Sequence, residues 1–300
     1  MFLFGIVVIY FQFNHISFEI KKELTKSLNY GFIGIGCFFM IIRHLFLAIR
    51  IDLMATNTFK KHLWDFIKYE YKLLFYELIL PIPNIEDVLR FFYLKKKLQK
   101  SVFYLLNVIV INRILGIVIL FFFMLFSFKN IQHFLNKIDF PFRVSIVLPL
   151  GILAVLLLLF FFRKALILYL NKNKYYRIIK RSNNKYQTST RHLLWGFLMG
   201  IFQLLSWSLA VFFILKGVGI NADWSFVVAV VPLMLLSFTV PLSYQGLGLP
   251  ETVLILYGSL FFDEKLLIVA GGIHFMVYLV IILIGMSLYF FDNKNTKIYE

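Results

Sequence analysis

The chain has 300 residues, 61% of them apolar and only 15% charged, with 37 Phe, 16 Tyr and a mean hydropathy of +0.83. Soluble domains run nearer half apolar and a quarter charged, which excludes a soluble enzyme, a disordered chain and a small secreted scaffold and leaves a polytopic membrane protein. The 31 Lys and Arg outnumber the 15 Asp and Glu, for a net charge of +16; they lie in loops between apolar runs, so they read as topology signals and contacts to anionic lipid head groups, not as a nucleic-acid surface.

In chain order, residues 2–13 (FLFGIVVIYFQF) are apolar but fall short of the roughly 20 residues a spanning helix needs. No basic stretch precedes them and no small-residue cleavage site follows, so they read as a shortened first span and not as a signal peptide. Residues 28–50 are long enough to cross. Residues 52–72 mix Lys60, Lys61, Asp65, Lys68, Glu70 and Lys72 with aromatics, the pattern of an amphipathic interfacial helix. Residues 73–94 carry Pro81 and Pro83 near their middle, which predicts a broken or re-entrant helix. The cluster Lys95, Lys96, Lys97 and Lys100 precedes spans at about 102–127 and 142–162. The loop 163–191 holds nine basic residues and no acid. Further apolar segments lie at 192–216, 224–243, 245–262 and 266–291, the third predicted to be re-entrant or broken.

Two spans separate the two basic regions, so both face one side, the cytoplasm by the positive-inside rule. Four crossings after that would return the C-terminus to the cytoplasm. The expected fold is all-α: a single transmembrane domain over 1–300, with seven or eight membrane segments and no soluble catalytic domain. Cys37 is the only cysteine, so no intramolecular disulfide and no zinc thiolate cluster can form. No nucleotide-binding, hydrolase or metal motif occurs, and neither a metal nor a cofactor is expected. A homo-oligomer is compatible with these features.

Three polar constellations interrupt the apolar segments. In the first, Pro81 and Asn84 precede Glu86, Asp87 and Arg90. A helix starting after Asn84 would place Arg90 four residues from Glu86 and three from Asp87, on one face. Asn84 would serve as its N-cap. In the second, Pro241, Ser243, Gly246, Gly248, Pro250 and Glu251 fall together. The glycines allow a sharp turn, Pro250 suits a first helical turn, and Glu251 lies at its positive end. The third is a set of charges inside apolar runs. Arg43 and Arg50 are seven apart on one helical face, Glu77 precedes Pro81, and Arg113 follows Asn112. Each ionisable group costs about 2.5–3.5 kcal/mol at the centre of a spanning helix, so each calls for a partner or a polar cavity. Arg43 and Arg113 are candidate contacts for a phosphate or carboxylate. Gly196 and Gly200 form a GxxxG pattern suited to close helix packing, and His274 reads as a hydrogen-bonded bundle histidine.

Taken in order, Pro81, Asp87, Arg90, the lysines at 95–97 and Asn112-Arg113-Ile114-Leu115-Gly116, followed by Pro241, Ser243, Gly246, Gly248 and Glu251, carry a resemblance. The chain resembles the transmembrane-region family of lysylphosphatidylglycerol synthases, the flippase-like domain of that bifunctional enzyme and its stand-alone relatives. It departs from the family pattern at Ile85-Glu86, where a Gly-Gly is usual, at Asn112, where Glu is usual, and at Pro250, where Arg is usual. The resemblance implies a bacterial inner-membrane protein that moves or presents a phospholipid or lipid-linked precursor. Arg90 and Arg113 would contact phosphate, Asp87 and Glu251 would hold those arginines or a cationic headgroup, and Pro81, Gly246 and Gly248 would shape the broken backbone. The aminoacyl-transferring domain is absent, so lysyl transfer is not expected. The alternatives are a membrane-embedded transferase or its accessory subunit, acting on a lipid-linked sugar or amino acid, and a non-catalytic scaffold.

Overall fold

A computed structural model describes residues 28–56, 63–79, 85–127, 190–237 and 248–296. The segment 2–13, the span 142–162, most of the loop 163–191, and Pro81, Asn84, Pro241, Ser243 and Gly246 lie outside the described residues. Among those described, eight helices and no strand occur: α1 (Tyr30–Thr56), α2 (Leu63–Ile79), α3 (Ile85–Leu98), α4 (Val102–Phe126), α5 (Thr190–Gly217), α6 (Trp224–Ser237), α7 (Leu249–Gly258) and α8 (Glu264–Thr296). Helices α1, α4, α5 and α8 are long and apolar enough to cross a membrane, while α6 and α7 are shorter apolar helices. The chain is an all-α membrane bundle.

The helix ends follow local chemistry. Asn29 Oδ1 accepts hydrogen bonds from the Gly31 and Phe32 amides at the start of α1, satisfying donors that have no partner within the helix. At the other end, Lys100 Nζ donates to the Ala55 carbonyl at 2.8 Å. The buried Tyr104 hydroxyl lies 3.1 Å from the Met54 carbonyl and 3.0 Å from that of Ala55. A cation there also complements the negative end of the helix dipole. These caps let α1 run to Thr56, six residues beyond the apolar run, with Asp52 wholly buried. The stretch 52–72 is therefore not one amphipathic helix: α1 ends at Thr56, α2 begins at Leu63, and Glu70 and Tyr71 are buried.

Helices α1 and α5 form the most extensive pair. Gly36 permits their approach, since a Cβ there would sit 2.9 Å from Ile214 Cγ1 and 3.1 Å from the Ala210 carbonyl. Helix α8 packs along α2, where Gly285 meets the Tyr71 backbone so closely that any Cβ would collide. Among the described residues, α4 turns Phe103, Leu106, Val110, Ile114 and Ile117 outward. That spacing gives one apolar helical stripe, as suits a hydrocarbon surrounding. The segment 73–94 contains the end of α2 and most of α3, and the segment 245–262 contains α7.

Candidate functional site

Seven of the eight helices surround a cavity of about 530 Å³; α7 alone contributes no lining residue. Four arginines line it (Arg43, Arg50, Arg90 and Arg113) together with four acids (Glu70, Glu77, Glu86 and Asp87). The rest of the wall is mostly apolar.

One side of the cavity is a carboxylate–guanidinium network across α2, α3 and α4. Because α3 begins at Ile85, the i,i+3 and i,i+4 spacings bring Arg90 to Asp87 at 3.1 Å and to Glu86 at 3.4 Å. Arg90 also makes a bidentate pair with Glu70 of α2, Nε and Nη2 each donating at 2.9 Å. Both side chains are buried, so this fork joins α2 to α3. Arg113 of α4 donates from Nε to Asp87 at 2.6 Å and from Nη2 to Glu86 at 3.2 Å. Asp87 therefore holds both arginines. Glu77 of α2 lines the same cavity.

The other side belongs to α1 and α5. Arg50 donates from Nε to Asn112 Oδ1 at 2.8 Å, and Gly200 leaves room for its guanidinium. A Cβ at Gly200 would lie 3.0 Å from Arg50 Nη1 and collide with Ile119, while one at Gly196 would touch Met54 and Leu115. The GxxxG pattern thus packs α5 against both α1 and α4. Two turns from Arg50, the Arg43 guanidinium stacks over Trp207 of α5, 3.8 Å from the ring centroid, a favourable cation–π geometry.

Trp207 leads away from the cavity along a buried chain. Its indole N–H donates to His274 Nε2 at 3.1 Å, and His274 Nδ1 lies 2.7 Å from Glu251 Oε1. Glu251 Oε2 accepts the Gly248 amide at 3.1 Å, half of a capping box at the start of α7. Gly248 takes a left-handed φ of 86°, which glycine alone adopts without a steric cost. Glu251 and Gly248 do not line the cavity among its described walls. Glu251 therefore holds His274 and a helix start instead of an arginine, and His274 is the hydrogen-bonded bundle histidine expected.

Of the sequence candidates, the fold brings Arg43, Asp87, Arg90 and Arg113 into one cavity. Glu70 was missed as the partner of Arg90; its seven-residue spacing from Glu77, two turns along one face, was the available signal. Gln203 and Trp207 were missed as cavity residues. With Gly200 they follow an i, i+3, i+7 pattern along α5.

The profile describing the transmembrane region of lysylphosphatidylglycerol synthase matches residues 1–285. The chain belongs to that family. No curated protein and no solved structure matches the chain. Membership makes it an integral membrane protein of the lipid-related flippase and synthase kind.

Proposed function

We propose that this chain is a flippase-like protein that binds the polar headgroup of a phospholipid or lipid-linked precursor in the charged cavity and carries it across the cytoplasmic membrane. The observation that carries this reading is the cavity itself: four guanidinium groups and four carboxyls around about 530 Å³, within a bundle whose long helices are apolar. Charges at that depth are costly and mark polar pathways by default. The volume falls within the ~300–1,000 Å³ of small-molecule sites, which suits a headgroup while its acyl chains stay in hydrocarbon. The basic cluster at 95–100 would hold its end of the bundle against anionic lipid on the cytoplasmic face.

The test is lipid scrambling in proteoliposomes with a panel of headgroup-labelled lipids, comparing the natural chain with Gly116→Trp. Gly116 lines the cavity, and a Cβ there would meet nothing within 4 Å, so an indole fills the space without a clash at its root. Headgroup-selective movement that Gly116→Trp abolishes supports the proposal. Movement unchanged by the filled cavity refutes it, and lipid-linked product formed from an activated donor would favour the transferase instead.

A further inference from the structure

Donor bookkeeping divides the cavity unequally. Every nitrogen of the Arg90 side chain already donates to a carboxylate, and Arg113 Nε and Nη2 do the same. An anion arriving there would meet Glu70, Glu86 and Asp87 before it met an open donor. The α1–α5 side is different. Arg43 makes no ion pair with any described residue, its Nη1 is buried without a hydrogen-bond partner, and Glu77 and Glu86 act on it only from beyond ion-pair distance. Its neighbour His44 is 4% exposed with Nε2 unpartnered, and Gln203 Oε1 of α5 is buried and unpartnered as well. All three line the same cavity. A half-turn of the Gln203 amide presents its NH₂ where the oxygen now lies. Native interiors leave few buried polar groups unpaired, and each that persists calls for an explanation such as a bound ligand.

We infer that Arg43, His44 and Gln203 form an anion subsite for a phosphate group, apart from the Arg90–Arg113 network. This rests on the headgroup reading above and sharpens it. The stacking of Arg43 on Trp207 fixes the plane of the guanidinium and leaves its edge to donate. His44 Nε2–H and the Gln203 amide add donors to an acceptor with several oxygens. A guanidinium free of carboxylates gives the charge complement that phosphate needs, and a planar fork suits its geometry. The Glu70–Arg90–Asp87–Arg113 network then serves as a rigid part of the same cavity's wall.

The test is calorimetric titration of the purified, delipidated chain in non-ionic detergent with dihexanoyl-phosphatidylglycerol, sodium phosphate and dihexanoylglycerol. The natural chain should bind the phospholipid and not the phosphate-free diacylglycerol. Arg43→Gln should weaken binding by about tenfold or more, the scale of one lost hydrogen bond to a charged group, and by more than Arg113→Gln does. Gln203→Leu, on another helix, should also weaken it and keeps the proposal testable if Arg43→Gln does not fold. Equal affinity for inorganic phosphate would keep the subsite but assign it to free phosphate. Loss on Arg113→Gln with full binding by Arg43→Gln and Gln203→Leu would overturn the subsite while leaving the headgroup proposal standing. No binding of either phosphate probe by the natural chain would overturn the subsite whatever the scrambling assay gives.

Discussion

Arg90→Met tests the network most sharply. Glu70 is 3% exposed, and Arg90 supplies both of its hydrogen bonds, at 2.9 Å each. Removing the guanidinium strands a buried carboxylate, which costs about 3–5 kcal/mol when a buried pair is broken from one side. Glu70→Gln should cost less, because Arg90 keeps Asp87 and Glu86. The double variant Arg90→Met/Glu70→Met should recover most of the loss, since replacing a whole buried pair with apolar side chains of similar volume is often neutral. The assay is reversible denaturant unfolding in detergent micelles, followed by helicity, with the coupling taken from the double-mutant cycle. A cost below about 1 kcal/mol for Arg90→Met, or a double variant no better than that single one, would refute the reasoning.

Other consequences are equally direct. Gly200→Ala drives a methyl into Ile119 and toward Arg50 and should cost about 1–3 kcal/mol by overpacking; Gly34→Ala, with nothing within 4 Å, should be neutral or stabilising by up to ~1 kcal/mol, and the same unfolding assay separates them. The Trp207 indole only donates, so His274 Nε2 must accept and its proton must sit on Nδ1, facing Glu251; ¹⁵N chemical shifts of labelled histidine should report that tautomer in the natural chain. Trp207→Phe removes the donor and should relax the preference, at a cost of about 1–3 kcal/mol for an unsatisfied buried nitrogen. Gly248→Ala places a Cβ at a φ of 86° and should cost about 1–2 kcal/mol, read as a lowered unfolding midpoint.

Much of this architecture was legible before any coordinates. The apolar runs located the starts of the four long helices to within a few residues, because composition and length alone decide what can span a bilayer. The Glu86–Asp87–Arg90 face was legible because it depends only on helical spacing within one element. The Arg90–Glu70 fork was not, since it joins two different helices, 20 residues apart in the chain. The extension of α1 to Thr56 was also hidden: it depends on caps from Lys100 and Tyr104, more than 40 residues away in the chain. Arg43 was singled out as an intramembrane charge, but only the fold separates it from Arg90 and Arg113, by giving carboxylates to those two. Glu251 misled for a related reason. Its place near a helix start was right, yet its second oxygen goes to His274 of α8, a pairing that no local pattern encodes.

The central claim is that a lipid headgroup occupies the charged cavity. A cryo-electron microscopy structure of the chain in lipid nanodiscs, bound to an antibody fragment for size, tests it most directly. The account predicts headgroup density inside the cavity, with its phosphate against Arg43 and acyl chains passing outward between helices. A cavity holding only water, with every ordered lipid confined to the outer belt, would contradict it.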